Sequence, residues 1–272
     1  MARSNSGYVP ENQTMRGLTL RVGTICMPTI SGVQMLHKTA VEITGGLSEP
    51  SKMPGRAWNI PASRCNMGSK LENAVGSVCS KGVCFAKGGR YLMPRTQLAL
   101  ERRYHAWLTE PLWVPAMITL VKRDKFFRWF DSGDLQSEKM LSDICEVARE
   151  TPDTEHWLPT REYRILEDYH QPIPENLNIR VSYVMVDGAP NRWIKRLGEK
   201  YGGTSSVFRD RWPGGFICQS QLNGGHCGTC RECWSKGGHV SYPFHKVVHK
   251  TPCIKKEHDA YVSKRFPEKK GV

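Results

Sequence analysis

The longest apolar stretch in this chain, LWVPAMITLV at 112–121, is only ten residues long and carries a proline inside it. A membrane-crossing helix needs about 20 such residues, so no membrane partner is expected. The opening stretch MARSNSGYVPENQT holds no apolar core of the kind a secretory signal requires. That absence implies a reducing cytoplasm, where cysteines serve as metal ligands, catalytic groups or buried residues rather than as disulfides. No internal repeat aligns, which sets aside repeat architectures, and only the basic tail is compositionally biased.

Acidic residues are scarce as well: 26 Asp and Glu face 39 Lys and Arg, for a net charge of +13. An excess of this size suits a polyanionic partner, above all nucleic acid. Residues 235–272 sharpen the asymmetry, with nine Lys or Arg against three Asp or Glu. Arg192, Lys195 and Arg196, together with Lys246, Lys250, Lys255 and Lys256 of the tail, are the candidate phosphate contacts.

What is present reads as alternating strands and helices. Residues 1–93 form an irregular region with two short β-like runs, LTLRVGTI and KTAVEIT, and a first set of cysteines. From Pro94 the apolar spacing of PRTQLALERRYHAWL is helical, with proline suited to the first turn. DKFFRWF reads as a buried strand, LQSEKMLSDICEVARE as an amphipathic helix, and TEHWLPT continues the alternation. EYRILEDY is a short helix, IRVSYVMV a strand, and NRWIKRLGEKY a further helix. Such alternation predicts parallel strands, hence an α/β fold. The expected architecture is a βα-repeat, TIM-barrel-like sheet over 94–215, short for a complete eightfold barrel, with irregular cysteine-rich metal-binding loops. Residues 216–272 are read as a four-cysteine metal site and a basic tail.

In such folds reacting groups stand where strands end. Asp131 and Asp134 follow one predicted strand and Asp187 follows a later one, so all three are placed on one rim, able to flank a scissile bond. Asp134 has a second reading as a helix cap, because DSGD before a helix is good capping chemistry. Asp131 and Asp187 could equally be turn residues.

Cys227, Cys230 and Cys233 follow a C-x-x-C-x-x-C pattern, and Cys218 supplies a fourth thiol across QSQLNGGH. Four thiolates so spaced suit a closed structural zinc site, and the same spacing suits an iron–sulfur cluster. His226, His239, His245 and His249 stand in reserve. An earlier set, Cys65, Cys79 and Cys84, is less regular; three thiolates leave an open coordination position, as a catalytic metal or redox cluster needs. Separate buried cysteines are the alternative there.

The strings CNMGSK, CFAKGGRY, FDSGDLQS, TRE and CGTCRECW, in that order, resemble the phage family called gene product 88 and span Cys65 to Trp234. That resemblance implies a phage protein working in a host cytoplasm. By layout alone, an early acid, a later strand-end acid and a downstream cysteine motif resemble the phage DNA 7-deazaguanine transglycosylases of the tRNA-guanine transglycosylase superfamily. Here the spacing is C-x8-C-x2-C-x2-C, a departure from that superfamily's C-x-C-x-x-C and distal His. This second resemblance implies exchange of guanine in DNA for a 7-deazaguanine base, protecting phage DNA from restriction. Asp187 is then the nucleophile and Asp131 or Asp134 the proton carrier. The target base has to leave the stack, and Trp129, Tyr183 and Trp193 are candidate stacking partners. Two other readings stay open: an iron–sulfur redox or radical enzyme, and a non-enzymatic zinc-containing nucleic-acid binder.

Overall fold

Among the described residues seven strands form one sheet in which every ladder is parallel. β1 (Arg56–Trp58), β2 (Phe126–Trp129), β3 (Glu155–Thr160), β4 (Leu177–Ser182) and β5 (Thr204–Phe208) lie side by side in chain order. Beyond β5 come β7 (His239–Pro243) and then β6 (Phe216–Ile217). This computed structural model describes residues 35–221 and 223–244. Parallel neighbours need crossovers. These are α3 (Pro94–Thr109) and α4 (Trp113–Val121) before β2, α5 (Glu138–Arg149) before β3, α6 (Tyr163–Asp168) before β4, and α7 (Arg192–Tyr201) before β5. The βα repeat expected from the sequence is present and barrel-like in its winding. Among the described residues no ladder joins β1 to β6. The sheet takes strands from all three segments marked out in the sequence.

The two faces of the sheet differ in chemistry. Phe127, Trp129, Leu158, Ile179 and Val181 point toward the helices and pack with Met117, Leu141 and Ile144 in the main core. Each such aliphatic side chain contributes about 1.5–3 kcal/mol on burial. The register sets Arg128 beside Trp157 and Trp157 beside Asn178 on the opposite face, which continues through Arg180 and Ser182 to Ser205. A filled barrel carries branched aliphatics there; this lumen is polar.

Its lower part is filled by the segment 230–238. Trp234 donates through Nε1 to the Phe127 carbonyl at 3.0 Å, with its ring 5.4 Å from Phe126 and 5.3 Å from Trp157. Fully buried Arg180 donates to the carbonyls of Thr204, Glu232 and Ser235 at 3.2, 2.9 and 2.8 Å. Asn178 donates to those of Cys233 and Ser235 at 2.7 and 2.9 Å. A buried guanidinium without a carboxylate partner thus holds backbone carbonyls through its Nη atoms, while its Nε has no hydrogen-bond partner.

Two local expectations change. KTAVEIT is the helix α1 (His37–Thr44), not a strand. Its Ala40, with Met35, Ile43 and Leu47 at helical spacing, packs on Ala116 and Leu120 of α4, so tertiary burial overrides the β-branched composition. Gly45 closes α1 at φ 75, where a Cβ would stand 3.0 Å from the Arg103 backbone. The run LWVPAMITLV supplies α4; Pro115 sits in its first turn, where no helical acceptor exists for a backbone N–H. LTLRVGTI lies outside the described residues.

His156 titrates with the fold. It is fully buried, receives Trp129 Nε1 at 3.2 Å on Nδ1 and meets Thr151 Oγ1 at 2.9 Å through Nε2. Burial lowers its pKa from 6.5 to about 3. A depressed folded pKa gives stability that is present above pH 6.5 and lost as pH falls toward 3. Chemical denaturation of His156→Gln between pH 7 and pH 4 should give a shallower loss of stability than wild type; parallel curves would contradict this.

Candidate functional site

Four of the strings singled out in the sequence converge at the C-terminal ends of the strands. CNMGSK, CFAKGGRY, FDSGDLQS and TRE each contribute walls to one cavity of about 240 Å³. Cys65 and Gly68, Cys79, Cys84 to Lys87, Phe130 to Asp134, and Arg161 line it, and Arg128, Trp157, Tyr242 and Phe244 complete it from the lumen side. In parallel α/β sheets this is the end at which ligands bind.

Asp131 and Asp134 are both in this wall. Phe130, just before them, holds φ at 57, an unfavourable value for a non-glycine residue that turns the chain sharply out of β2. Asn59, after β1, donates to the Asp131 carboxylate through Nδ2 and to Ser48 Oγ at 3.0 Å, and it accepts from Arg103. Tyr91 is also hydrogen-bonded to Asp131, and burial with that carboxylate pushes the phenol's pKa up. Asp131 is therefore positioned by neutral donors, with a buried arginine one residue removed.

Asp134 is held differently. Its carboxylate accepts from Thr160 Oγ1 at 2.6 Å and from the backbone N–H groups of Leu135 and Arg161 at 2.8 and 3.0 Å. Burial nonetheless raises its pKa against those bonds. The cap of α5 is Ser137, which receives the Met140 N–H at 3.2 Å, so Asp134 is not needed for capping. Next to it, Glu162 accepts the Met67 N–H at 2.7 Å and fixes the start of α2 (Asn66–Lys70). Burial, then the Asp134 charge, lifts the Glu162 pKa from 4.5 to about 7.

The glycine between the two aspartates sets their loop. Gly133 holds φ at 86, and a Cβ there would stand 2.2 Å from Ile60 Cγ1 and 2.9 Å from the Ile60 carbonyl. Gly133→Ala should push the loop away from Ile60 and lower the melting temperature by several degrees, as about 1–3 kcal/mol of strain does in a domain of this size. An unchanged melting temperature would contradict the close approach.

The cysteines depart from expectation. Among the described residues no group of three or more His, Cys, Asp and Glu side chains is arranged to hold a metal ion. Neither zinc nor an iron–sulfur cluster is therefore assigned to Cys218, Cys227, Cys230 and Cys233, or to Cys65, Cys79 and Cys84, and the expected metal-binding loops are absent. All eight described cysteines are free. Burial raises the pKa of Cys65 and Cys79, and that of Cys233 to about 12, so these sulfurs are protonated packing groups at neutral pH. Cys218 donates to Ser220 Oγ at 3.4 Å, and Cys233 meets the Tyr242 hydroxyl at 3.2 Å. Carbonyl bonds to Arg180 and Asn178 do the fastening that a metal was expected to do.

The family model described as gene product 88 matches residues 36–257. The chain belongs to the gene product 88 family. No curated protein and no solved structure matches it. In this gene product 88 protein Asp187 lies apart from the cavity wall. Its Oδ1 accepts the N–H groups of Arg209, Asp210 and Arg211 at 2.6, 2.9 and 3.0 Å, and its φ of 60 marks a tight turn. Those bonds, rather than burial, decide its pKa, which is lowered. Trp129 is fully buried among the helices, and Trp193 is 40% exposed on α7, bonded to Glu167 at 2.7 Å. Tyr183 packs against the main core. Arg192, Lys195 and Arg196 lie exposed on α7, which starts at the same rim as the cavity. Lys246, Lys250, Lys255 and Lys256, with His245 and His249, lie outside the described residues.

Residues given no individual role in the sequence reading carry much of the site: Asn59, Arg103 and Arg128, and Tyr91, Arg161 and Glu162 within the strings CFAKGGRY and TRE. Arg128 had a signal, a lone cation inside the apolar strand FFRW. Among the described residues no helix is long and apolar enough to cross a membrane.

Proposed function

We propose that this gene product 88 protein is a phage DNA-modifying glycosyltransferase that exchanges guanine for a 7-deazaguanine base in the cavity between Asp131 and Arg161. The observation that carries the reading is the pair Asp131 and Asp134, two carboxyl groups with different surroundings in one base-sized cavity at the strand ends. Two carboxyl groups in one cavity, one of them buried among hydrogen-bond donors, can divide the roles of nucleophile and proton carrier. The net charge of +13 suits a DNA substrate.

In this mechanism a carboxylate oxygen of Asp131 attacks C1′ of the target nucleotide. The C1′–N9 bond breaks, its electron pair stays on guanine, and Asp134 supplies the proton that guanine takes up. The incoming base then gives its proton to Asp134 and attacks C1′ through N9, breaking the ester and freeing Asp131. Burial of Asp134 favours the protonated state this needs. Asp187, proposed from sequence as the nucleophile, serves here to hold the β5 loop. The reaction requires the nucleotide out of the stack, and exposed Lys70, Lys81, Arg90 and Arg95 border the segment that covers the cavity.

The test is to incubate the protein with a single-stranded guanine-containing oligonucleotide and a 7-deazaguanine base, then analyse the digested nucleosides. Free guanine with an equal amount of 7-deazaguanine deoxynucleoside is expected; unaltered nucleosides at all protein concentrations would refute the reaction.

A further inference from the structure

Arg128 stands in the cavity without an acidic partner. Its guanidinium carbon lies 4.4 Å over the Trp157 ring, its Nη1 meets only the Met53 thioether at 3.4 Å, and its buried Nε has no hydrogen-bond partner. Arg161, one strand further on, donates through Nε to the Tyr183 carbonyl at 3.4 Å. Neither arginine forms an ion pair among the described residues, whose pairs involve other side chains. One hydroxyl in the same wall is equally unsatisfied: Ser132 is 2% exposed, and its Oγ lacks a partner.

Buried polar groups without partners are costly and uncommon. Here two of them and a second guanidinium line one cavity. The ligand that satisfies them together has several acceptor oxygens and negative charge. Asp131 and Asp134 do not fill that role, since the first is held by Asn59 and Tyr91 and the second by Thr160 and backbone N–H groups.

We propose that Arg128, Arg161 and Ser132 form an oxyanion seat that receives a phosphate group of the nucleotide whose base is acted on. The assignment to a nucleotide rests on the base-exchange reading; the seat itself rests on the unpartnered Arg128 Nε and Ser132 Oγ, with Arg161 beside them. Guanidinium forks match phosphate oxygens in geometry, and the Ser132 hydroxyl adds a neutral donor. The phosphate comes either from a free mononucleotide or from a DNA strand.

Calorimetric titration of the full chain with 2′-deoxyguanosine 5′-monophosphate and with deoxyguanosine tests this directly. The monophosphate is expected to bind at least about tenfold more tightly, a typical charge-assisted gain. Arg128→Gln should remove that preference, and the smaller change Ser132→Ala should reduce it, each with a wild-type circular dichroism spectrum. Displacement of the monophosphate by a short single-stranded oligonucleotide assigns the seat to a strand phosphate; retention assigns it to a mononucleotide. Equal binding of the two ligands, no binding of the monophosphate at millimolar concentration, or a preference surviving in folded Arg128→Gln would overturn the seat. Phosphate preference without base exchange would refute the reaction and leave the seat standing, while exchange with an unchanged KM in Arg128→Gln would do the reverse.

Discussion

Asp131→Asn is expected to end base exchange while leaving the protein folded. The amide is isosteric, and its oxygen still accepts from Asn59 and Tyr91, the groups that hold the carboxylate. What it loses is the anionic oxygen that forms the ester with C1′. Exchange should fall at least about 1,000-fold, within the range for removing a group that acts on the reacting atoms. Asp134→Asn should lower the rate by a similar factor while still permitting the first covalent step on a substrate whose leaving base needs no proton. Asp187→Asn provides the contrast. Its Oδ1 partners are three backbone N–H groups of one loop, and an amide oxygen accepts the same three bonds. Exchange at more than about half the wild-type rate is expected there, and a loss equal to that of Asp131→Asn would return the nucleophile to Asp187.

The second large effect belongs to Arg180, far from the reacting groups. Arg180→Met keeps the length of the side chain and removes the donors to Thr204, Glu232 and Ser235. Buried carbonyls then lack partners, and the cost is on the order of 3 kcal/mol. For a chain of this size that corresponds to a drop of roughly 6–12 °C in melting temperature. The loss is local in its first consequence: segment 230–238 comes away from the lumen. Cys233, now packed against Tyr242, should be alkylated much faster in the variant at neutral pH. An unchanged melting temperature together with unchanged Cys233 labelling would show that the segment is held by something other than Arg180.

How much of this was legible in the sequence follows from which signals are local. Helix α3 begins at its proline and α5 follows its apolar spacing, because both are amphipathic surfaces over one core. The parallel sheet followed from alternation alone. Helix α1 was misread because KTAVEIT has strand-like composition, and only its packing on α4 makes it helical. Asp131 and Asp134 stand in a cavity wall, since both follow β2 directly. Asp187 follows β4 after Val184 and Val186 have left the ladder to bond with Val78 and Gly76, an excursion no periodicity announces. The cysteine spacing suggested metal because spacing records separation along the chain and not the direction of the sulfurs. In the folded chain Cys218 turns to Ser220 and Cys233 to Tyr242. Arg180 was invisible for the opposite reason: a cation in an apolar strand has meaning only once the carbonyls it meets are brought in from 50 residues away.

The central claim is that Asp131 carries the nucleic acid. Mass spectrometry of proteolysed protein after reaction with a guanine oligonucleotide, with the incoming base withheld, tests it most directly. The account predicts a nucleotide adduct on the peptide containing Asp131, absent from Asp131→Asn. An adduct on the Asp187 peptide, or base exchange with no adduct on any peptide, would contradict it.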